Sequence, residues 1–101
     1  MRRLLSLTEA EVEPGPSLLD RPCALSPQVA LRDEAFGALA YHYGNRRLVF
    51  LKSRILVEVV KGLGRFDTAQ DTLAALVPPA ERAAYAKALG RLATSGVIDV
   101  R

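Results

Sequence analysis

The chain has 101 residues, of which half are hydrophobic, and its formal net charge is +3. A chain of this length and composition folds as one domain with a single modest core, which excludes a multidomain protein and an intrinsically disordered one. One cysteine, Cys23, excludes an intramolecular disulfide, and no segment approaches the ~18 apolar residues of a membrane helix, so we expect a cytosolic protein without membrane association.

The first 25 residues differ in composition from the rest of the chain. They contain Pro14, Pro16 and Pro22 together with three closely spaced glutamates, and such a stretch offers little to a hydrophobic core. The sequence therefore predicts a loosely ordered N-terminal arm over residues 1–25 and a folded domain over residues 26–101.

Three β-strands are predicted next. Val29 and Leu31 alternate with small or polar neighbours, which is typical of a strand, and the segment DEA after them predicts a turn. The stretch FGALAYHYGNRRLVFLK then predicts a hairpin. In this hairpin Gly44 and Asn45 form a two-residue loop, and the glycine supplies the positive φ of a type II′ turn.

The hairpin register separates the side chains of the sheet into two faces. One face carries the larger apolar side chains, including Leu48 and Phe50 of the third strand, and the other face is smaller and more mixed. The pairs on the first face are Tyr43–Arg46, Tyr41–Leu48 and Leu39–Phe50, and those on the second are His42–Arg47, Ala40–Val49 and Ala38–Leu51. Because one face of a small antiparallel sheet covers the core, we expect Leu48 and Phe50 to point inward.

The period of the apolar residues changes from two to about 3.6 after the third strand, which predicts three helices. Ser53 is expected to cap the first helix. Asp67 with Gln70 forms a capping-box pattern for the second, and Pro78-Pro79 opens the third. The expected core positions are Ile55, Leu56, Val59, Val60 and Leu63 in the first helix, Ala69, Leu73, Leu76 and Val77 in the second, and Tyr85, Leu89 and Leu92 in the third. With a final extended VIDVR segment, this order predicts an α+β fold that is winged helix-turn-helix-like, with a three-stranded antiparallel sheet followed by three helices.

Catalytic and metal-binding patterns are missing from the sequence. His42 is the only histidine, so a serine nucleophile has no other base, and one histidine with one cysteine cannot supply a metal cluster. Gly62 and Gly64 follow a helix and lack the strand-then-helix context of a phosphate-binding loop. We therefore expect a protein that is not an enzyme and that holds no cofactor or metal.

A basic stretch runs from Arg46 to Arg65, with six basic residues and one acidic residue, Glu58. These side chains are either solvated charges that lie next to buried positions in the sequence, or they form a surface for an acidic partner. A winged-helix DNA-binding protein is the alternative function, but the second helix, DTAQDTLAAL, has two aspartates and no basic residue, so it would repel the phosphate backbone. An oligomeric structural protein is a third interpretation, since an unpaired strand edge favours self-association.

The segment LSPQVALRDEAFGALAYHYGNRRLVFLKSR, with its strand–turn–strand–Ser order, resembles the peptide-recognition chaperones of ribosomal natural-product pathways. This is the PqqD-like, or RiPP recognition element, family. The similarity covers about residues 20–100 and is greatest to the mycofactocin branch of the family. It implies a non-catalytic chaperone that binds the leader of a precursor peptide and presents it to a radical SAM enzyme, and the iron–sulfur cofactors belong to that enzyme.

The resemblance also implies how the leader binds. The leader adds as a strand to the edge of the third strand and packs against the third helix, which is β-augmentation. The expected peptide-binding residues are Arg46, Arg47, Leu48, Val49, Phe50, Leu51 and Lys52 from the third strand, and Arg82, Tyr85 and Leu89 from the third helix. Proline at Val49 is expected to weaken binding, because it removes a main-chain donor. The same free edge permits a homodimer, and no nucleic-acid partner is expected.

Overall fold

A computed structural model gives the fold and describes residues 18–101. The strands are β1 (Cys23–Leu25), β2 (Val29–Glu34), β3 (Gly37–His42), β4 (Leu48–Leu51) and β5 (Ile98–Val100). The helices are α1 (Arg54–Gly62), α2 (Ala69–Leu76) and α3 (Arg82–Thr94), with 3₁₀ turns at Leu63–Arg65 and Pro79–Glu81. Strands β2, β3 and β4 form an antiparallel sheet in that order, so the predicted α+β fold with a three-stranded sheet followed by three helices is confirmed.

A second, two-stranded sheet ties the beginning of the described chain to its end. Strand β1 pairs antiparallel with β5, whereas the sequence predicted only the extended conformation of the final segment. Leu18 and Cys23, which fall within the predicted arm, are both buried. Residues 18–25 are therefore packed against the domain, and the remainder of the predicted arm, residues 1–17, lies outside the described residues.

The register of the β3–β4 hairpin is confirmed, because Leu39 lies opposite Phe50 as predicted. The loop, however, is not the predicted two-residue turn. The positive φ, 62°, belongs to Arg46 and not to Gly44. The N–H of Arg46 donates to the His42 carbonyl oxygen at 2.8 Å, and the His42 Nδ1 accepts the N–H of Gly44 at 2.9 Å. The histidine side chain thus supplies the acceptor that stabilises a longer loop, and the glycine needs no special conformation.

The two faces of the three-stranded sheet are inverted relative to the prediction. Ala38, Ala40 and Leu51 are buried, whereas Leu48 and Phe50 are each 57% exposed. The alanines let α1 lie close against β3, because they add no bulk between helix and sheet. The expectation that Leu48 and Phe50 point inward is therefore wrong. We call the side turned away from α1 the outer face, and its side chains are Ala30, Arg32, Glu34, Leu39, Tyr41, Leu48 and Phe50.

Side-chain hydroxyls define the starts of two helices. The Ser53 hydroxyl accepts the N–H of Leu56 at 3.2 Å and caps α1, as predicted. Helix α2 begins after Thr68, whose hydroxyl accepts the N–H of Asp71 at 3.1 Å. The cap of α2 is therefore Thr68, and not Asp67 as the sequence predicted. Thr68 is the next residue in the chain, and its hydroxyl is also a capping group.

The apolar stripes of the three helices meet in one core. The predicted positions that are buried are Leu56, Val59, Val60, Leu63, Ala69, Leu73, Val77, Leu89 and Leu92. Ile55 and Leu76 are exposed instead, while Val57 and Thr72 are buried in the same helices. Helix α1 packs on two sides, against the three-stranded sheet and against β1, so its buried surface is wider than a single stripe.

Cys23 is a core residue of the described domain. It is buried, and burial raises the pKa of its thiol, although the nearby Arg21 guanidinium partly lowers it again. Its sulfur lies 3.8 Å from the Leu18 carbonyl oxygen. A buried, protonated thiol is a poor nucleophile, so Cys23 contributes packing to the domain and not reactivity.

Gly37, at the start of β3, is a position where the fold requires glycine. Its φ is +147°, which L side chains rarely adopt, and a Cβ there would overlap the Leu51 carbonyl oxygen. We expect Gly37→Ala to lower the free energy of unfolding by more than ~2 kcal/mol, because strain and overlap act on the same strand pair. Guanidinium unfolding followed by circular dichroism measures this.

The matched control for this substitution is Gly64→Ala. A Cβ at Gly64 would meet nothing within 4 Å, so we expect little change in the unfolding midpoint. Equal midpoints for the Gly37 and Gly64 variants would contradict the role assigned to Gly37.

Candidate functional site

Strand β4 forms one edge of the three-stranded sheet. Within residues 18–101 it pairs with β3 alone, so one row of its main-chain N–H and C=O groups has no strand partner there. Free rows of this kind are templates for the addition of another strand. The opposite edge is β2.

The hydrogen-bond ladder fixes which main-chain groups of β4 reach the free edge. The N–H of His42 donates to the Arg47 carbonyl oxygen at 2.9 Å, so these residues form a hydrogen-bonded pair. Bonded and non-bonded pairs alternate along an antiparallel ladder, so Val49 also bonds inward to β3. Leu48 and Phe50 therefore turn their main-chain groups to the free edge and their side chains to the outer face.

A groove of about 430 Å³ lies between β4 and α3. Its lining residues are Val49, Phe50, Leu51 and Lys52 on the strand side, Leu56 of α1, and Ala88, Arg91, Leu92 and Ser95 on the side of α3. Most of these side chains are apolar, and the small Ala88 leaves room between helix and strand. The groove therefore lies directly beside the free main-chain groups of β4.

Two hydrogen bonds hold α3 beside β4. The Asn45 Nδ2 donates to the Ser95 carbonyl oxygen at 3.2 Å, and the hydroxyls of Ser53 and Tyr85 lie 2.9 Å apart. Asn45, which precedes β4, bonds to Ser95 at the C-terminal end of α3, and Ser53, which follows β4, bonds to Tyr85 near the start of α3. The helix therefore runs antiparallel to the strand. A bond near each end of the strand fixes the width of the groove along its length.

The charged side chains of the groove are basic. Lys52 and Arg91 line it, and no lining residue is acidic. Arg46 and Arg47 are exposed in the loop near the Asn45–Ser95 bond. A groove with this charge attracts ligands that carry carboxylates, and salt screens the attraction.

The structure places the predicted strand residues at the groove or at its rim. Val49, Phe50, Leu51 and Lys52 line the groove, while Arg46, Arg47 and Leu48 lie in the loop and on the free edge before it. The helix residues are placed differently. Leu89 is fully buried, and the Arg82 guanidinium donates to two carbonyl oxygens at the end of α2, at 2.8 and 3.0 Å. Tyr85 bonds to Ser53 and so positions the helix.

Sequence reasoning missed Ala88, Arg91 and Ser95 as parts of the groove wall. Together with Leu92, these residues lie on one side of α3 at helical spacing. This side is turned by about one residue position around the helix axis from the predicted apolar stripe, which runs through Leu89. The available signal was the small and polar character of these positions. In α3, Leu89 is turned fully into the core, while Leu92 contacts both the core and the groove.

The described residues contain no constellation for metal binding. Among residues 18–101, no three side chains of histidine, cysteine, aspartate or glutamate come close enough together to hold a metal ion. Over the same range, no helix combines the length and the apolar character that crossing a bilayer requires. His42, the only histidine of the chain, binds the main chain of its own loop through Nδ1.

Comparison with known proteins identifies the family of the chain. The sequence profile of the Peptide chaperone MftB family matches residues 22–99, a range that contains the three-stranded sheet, the groove and all three helices. The chain belongs to the peptide chaperone MftB family. The resemblance predicted from the hairpin segment is thus confirmed.

Three curated members of the MftB family are similar to this chain. Peptide chaperone MftB of Mycolicibacterium smegmatis is 48% identical over 75 residues, which cover 73% of this chain and 74% of that protein. The Mycobacterium ulcerans protein is 41% identical over 102 aligned positions, covering 97% and 94%. The Mycobacterium tuberculosis protein is 42% identical over 83 residues, covering 81% and 76%. No solved structure matches the chain significantly.

The hydrogen bond between Ser53 and Tyr85 positions α3 beside the groove, and this role can be tested. Tyr85→Phe removes the hydroxyl and keeps the ring, and we expect the free energy of unfolding to fall by ~1 kcal/mol, the value of one hydrogen bond. Urea unfolding measures the change. Tyr43→Phe is the control, because the Tyr43 side chain is 61% exposed and should contribute little. A wild-type midpoint for Tyr85→Phe would contradict the positioning role.

Proposed function

We propose that this chain is a non-catalytic, cytosolic peptide chaperone of mycofactocin biosynthesis. It binds the leader of a ribosomally made precursor peptide as an added strand on β4 and presents the peptide to a radical SAM enzyme. The observation that carries the proposal is the row of main-chain groups at Leu48 and Phe50, which has no strand partner within residues 18–101 and lies directly beside an apolar groove. The family membership supports the general role in peptide binding.

The free edge and the groove supply the two parts of β-augmentation. Main-chain hydrogen bonds to Leu48 and Phe50 give affinity without regard to sequence. Alternate side chains of the added strand enter the groove, where Val49, Leu56 and Leu92 select apolar residues. Main-chain bonds thus hold the leader, and the groove selects its register.

The basic groups suit a leader with acidic residues. Lys52 and Arg91 lie along the groove, so carboxylates of the leader would meet one charge on the strand side and one on the helix side. Exposed ion pairs contribute modestly to affinity and mainly favour the correct ligand and its approach.

DNA binding has less support in the same geometry. Helix α2 carries Asp71 and no basic residue, and the Arg82 guanidinium at the start of α3 is engaged by carbonyl oxygens of α2. Phosphate contacts dominate affinity for DNA, so such helices are poorly equipped for it. An edge-to-edge homodimer through β4 would use the same main-chain groups as the leader, so the two would exclude each other.

The main-chain row can be tested with proline. Phe50→Pro removes an N–H that faces the free edge, where proline is tolerated. We expect it to bind a synthetic leader at least about tenfold more weakly than Phe50→Ala, which removes the same side chain and keeps the N–H. Calorimetric titration measures both. Equal affinities of these two variants would contradict strand addition at β4.

Proline at the neighbouring position should have a different effect. The N–H of Val49 points inward to β3, so Val49→Pro breaks the sheet ladder and is expected to lower the unfolding midpoint. The expectation that Val49→Pro tests leader binding directly is therefore corrected, and Phe50 is the informative position.

The charge of the groove gives a second test of the proposal. We expect Lys52→Ala and Arg91→Ala each to weaken leader binding at low salt and to flatten its dependence on salt concentration. Lys87→Ala is the control, because Lys87 is exposed on α3 and does not line the groove. If Arg91→Ala and Lys87→Ala have the same affinity and the same salt slope, the charges of the groove do not contact the leader.

A further inference from the structure

The outer face of the three-stranded sheet is a second apolar surface, which meets the groove at Phe50 and Lys52. Leu48 and Phe50 are each 57% exposed. Phe36, in the β2–β3 turn, and Tyr43, after β3, extend this face because their rings pack on Phe50 and Tyr41, and they are 45% and 61% exposed. Within residues 18–101, the helices that bury the sheet lie on its other side. Large apolar side chains grouped on one open face are typical of a surface that binds a partner.

The aromatic side chains of this face are held in defined positions. The rings of Phe36 and Phe50 pack edge to face with centroids 5.8 Å apart, and those of Tyr41 and Tyr43 pack in the same way at 5.2 Å. A shallow recess of about 360 Å³ is lined by Phe36, Phe50 and Lys52. This recess suits an apolar side chain of a partner with a carboxylate beside it.

The outer face and the free edge of β4 share two residues. Leu48 and Phe50 offer their main-chain groups to an added strand and their side chains to the outer face. A peptide strand bound at the edge would therefore widen the outer face by one strand. Every second side chain of that peptide would lie beside Leu48 or Phe50, at the spacing of cross-strand neighbours.

We propose that the outer face is the docking surface for the modifying enzyme, and that the bound peptide completes it. The enzyme would present an apolar patch edged by carboxylates and would contact chaperone and peptide side chains together. This inference rests on the proposed function and adds to it the surface that the second partner uses. Because the peptide forms part of the enzyme's binding surface, each of the two ligands strengthens the binding of the other.

The charges of the outer face favour an acidic partner over a second copy of the chain. Its basic groups are Arg32 and Lys52. Glu34 is the one acidic residue that β2–β4 direct to this face, and its carboxylate is already paired with Arg32 at 2.8 Å. Lys52 borders both the groove and the recess, so a carboxylate of the leader or of the enzyme can reach it, whereas a second copy would offer it no free carboxylate from these strands.

The test uses the full-length chain, the purified radical SAM enzyme and a synthetic precursor peptide. Phe36→Ser and Tyr43→Ser remove exposed rings of the outer face that do not line the groove. We expect each to weaken binding of the enzyme to the peptide-loaded chaperone by about tenfold or more. Affinity for the peptide alone should stay within about twofold of wild type, because the β4 edge is unchanged. Leu76→Ser, which removes an exposed apolar side chain on α2, is the matched control and should alter neither affinity.

A substitution scan of the peptide tests the composite surface. Alanine at positions that enter the groove should weaken binding to the chaperone alone. Alanine at the alternate positions should weaken only the binding of enzyme to the loaded chaperone, which gives a period of two in the enzyme's affinity. Absence of this period, with peptide binding intact, would overturn the claim that the peptide completes the surface.

The outcomes separate this inference from the proposed function. If the wild-type chain binds no peptide, the proposed function fails and this inference fails with it. If peptide binds but Phe36→Ser and Tyr43→Ser bind the enzyme as wild type does, only the docking surface is wrong. If sedimentation shows a dimer that Tyr43→Ser dissociates while enzyme affinity is unchanged, the face belongs to a second copy and the inference is overturned.

Discussion

The position of β4 as the last strand of the three-stranded sheet is the constraint on which the rest of the structure depends. An antiparallel ladder satisfies alternate residues of each strand, so an edge strand keeps half of its main-chain groups for solvent or for another strand. In this chain Val49 bonds inward, and Leu48 and Phe50 face out. The same alternation sends the side chains of Val49 and Leu51 to the helices and those of Leu48 and Phe50 to the outer face.

In this arrangement small side chains of β3 face the core, while the larger side chains of Leu48 and Phe50 are left on the surface. Ala38 and Ala40 bring α1 close to the sheet, and the core is filled from the helices by Val59, Val60 and Leu63. The large side chains of Leu48 and Phe50 remain in water, where they contribute little to stability. Their burial on binding would be favourable, as is typical of exposed apolar surfaces that bind partners.

An exposed edge beside exposed apolar side chains is also a risk for aggregation. Strand β4 is short, and basic residues stand close to both of its ends, Arg47 before it and Lys52 after it. Like charges at strand ends oppose the stacking of two identical edges, while they attract an acidic peptide. The same residues can therefore discourage self-association and favour the proposed ligand. The hydrogen bonds from Asn45 to Ser95 and from Ser53 to Tyr85 keep α3 in place beside this edge.

The sequence alone determined the order of the elements, the register of the β3–β4 hairpin, the Ser53 cap of α1 and the family. These features are local: they depend on capping residues, on periods of two and 3.6 in the apolar pattern, and on one long segment that resembles the family. The strand part of the candidate site came from the resemblance to the family, and it agrees with the expectation that a small three-stranded sheet has free edges.

Only the tertiary structure decided which face of the sheet is buried and which side of α3 borders the groove. A period of two separates two faces, but it does not say which face the helices cover when both carry apolar residues, as with Val49 and Leu51 on one side and Leu48 and Phe50 on the other. The choice depends on how closely α1 can approach, and small residues at Ala38 and Ala40 permit the shorter distance. The rotation of α3 is likewise set by contacts far apart in sequence, such as Ser53 with Tyr85, which local patterns do not contain.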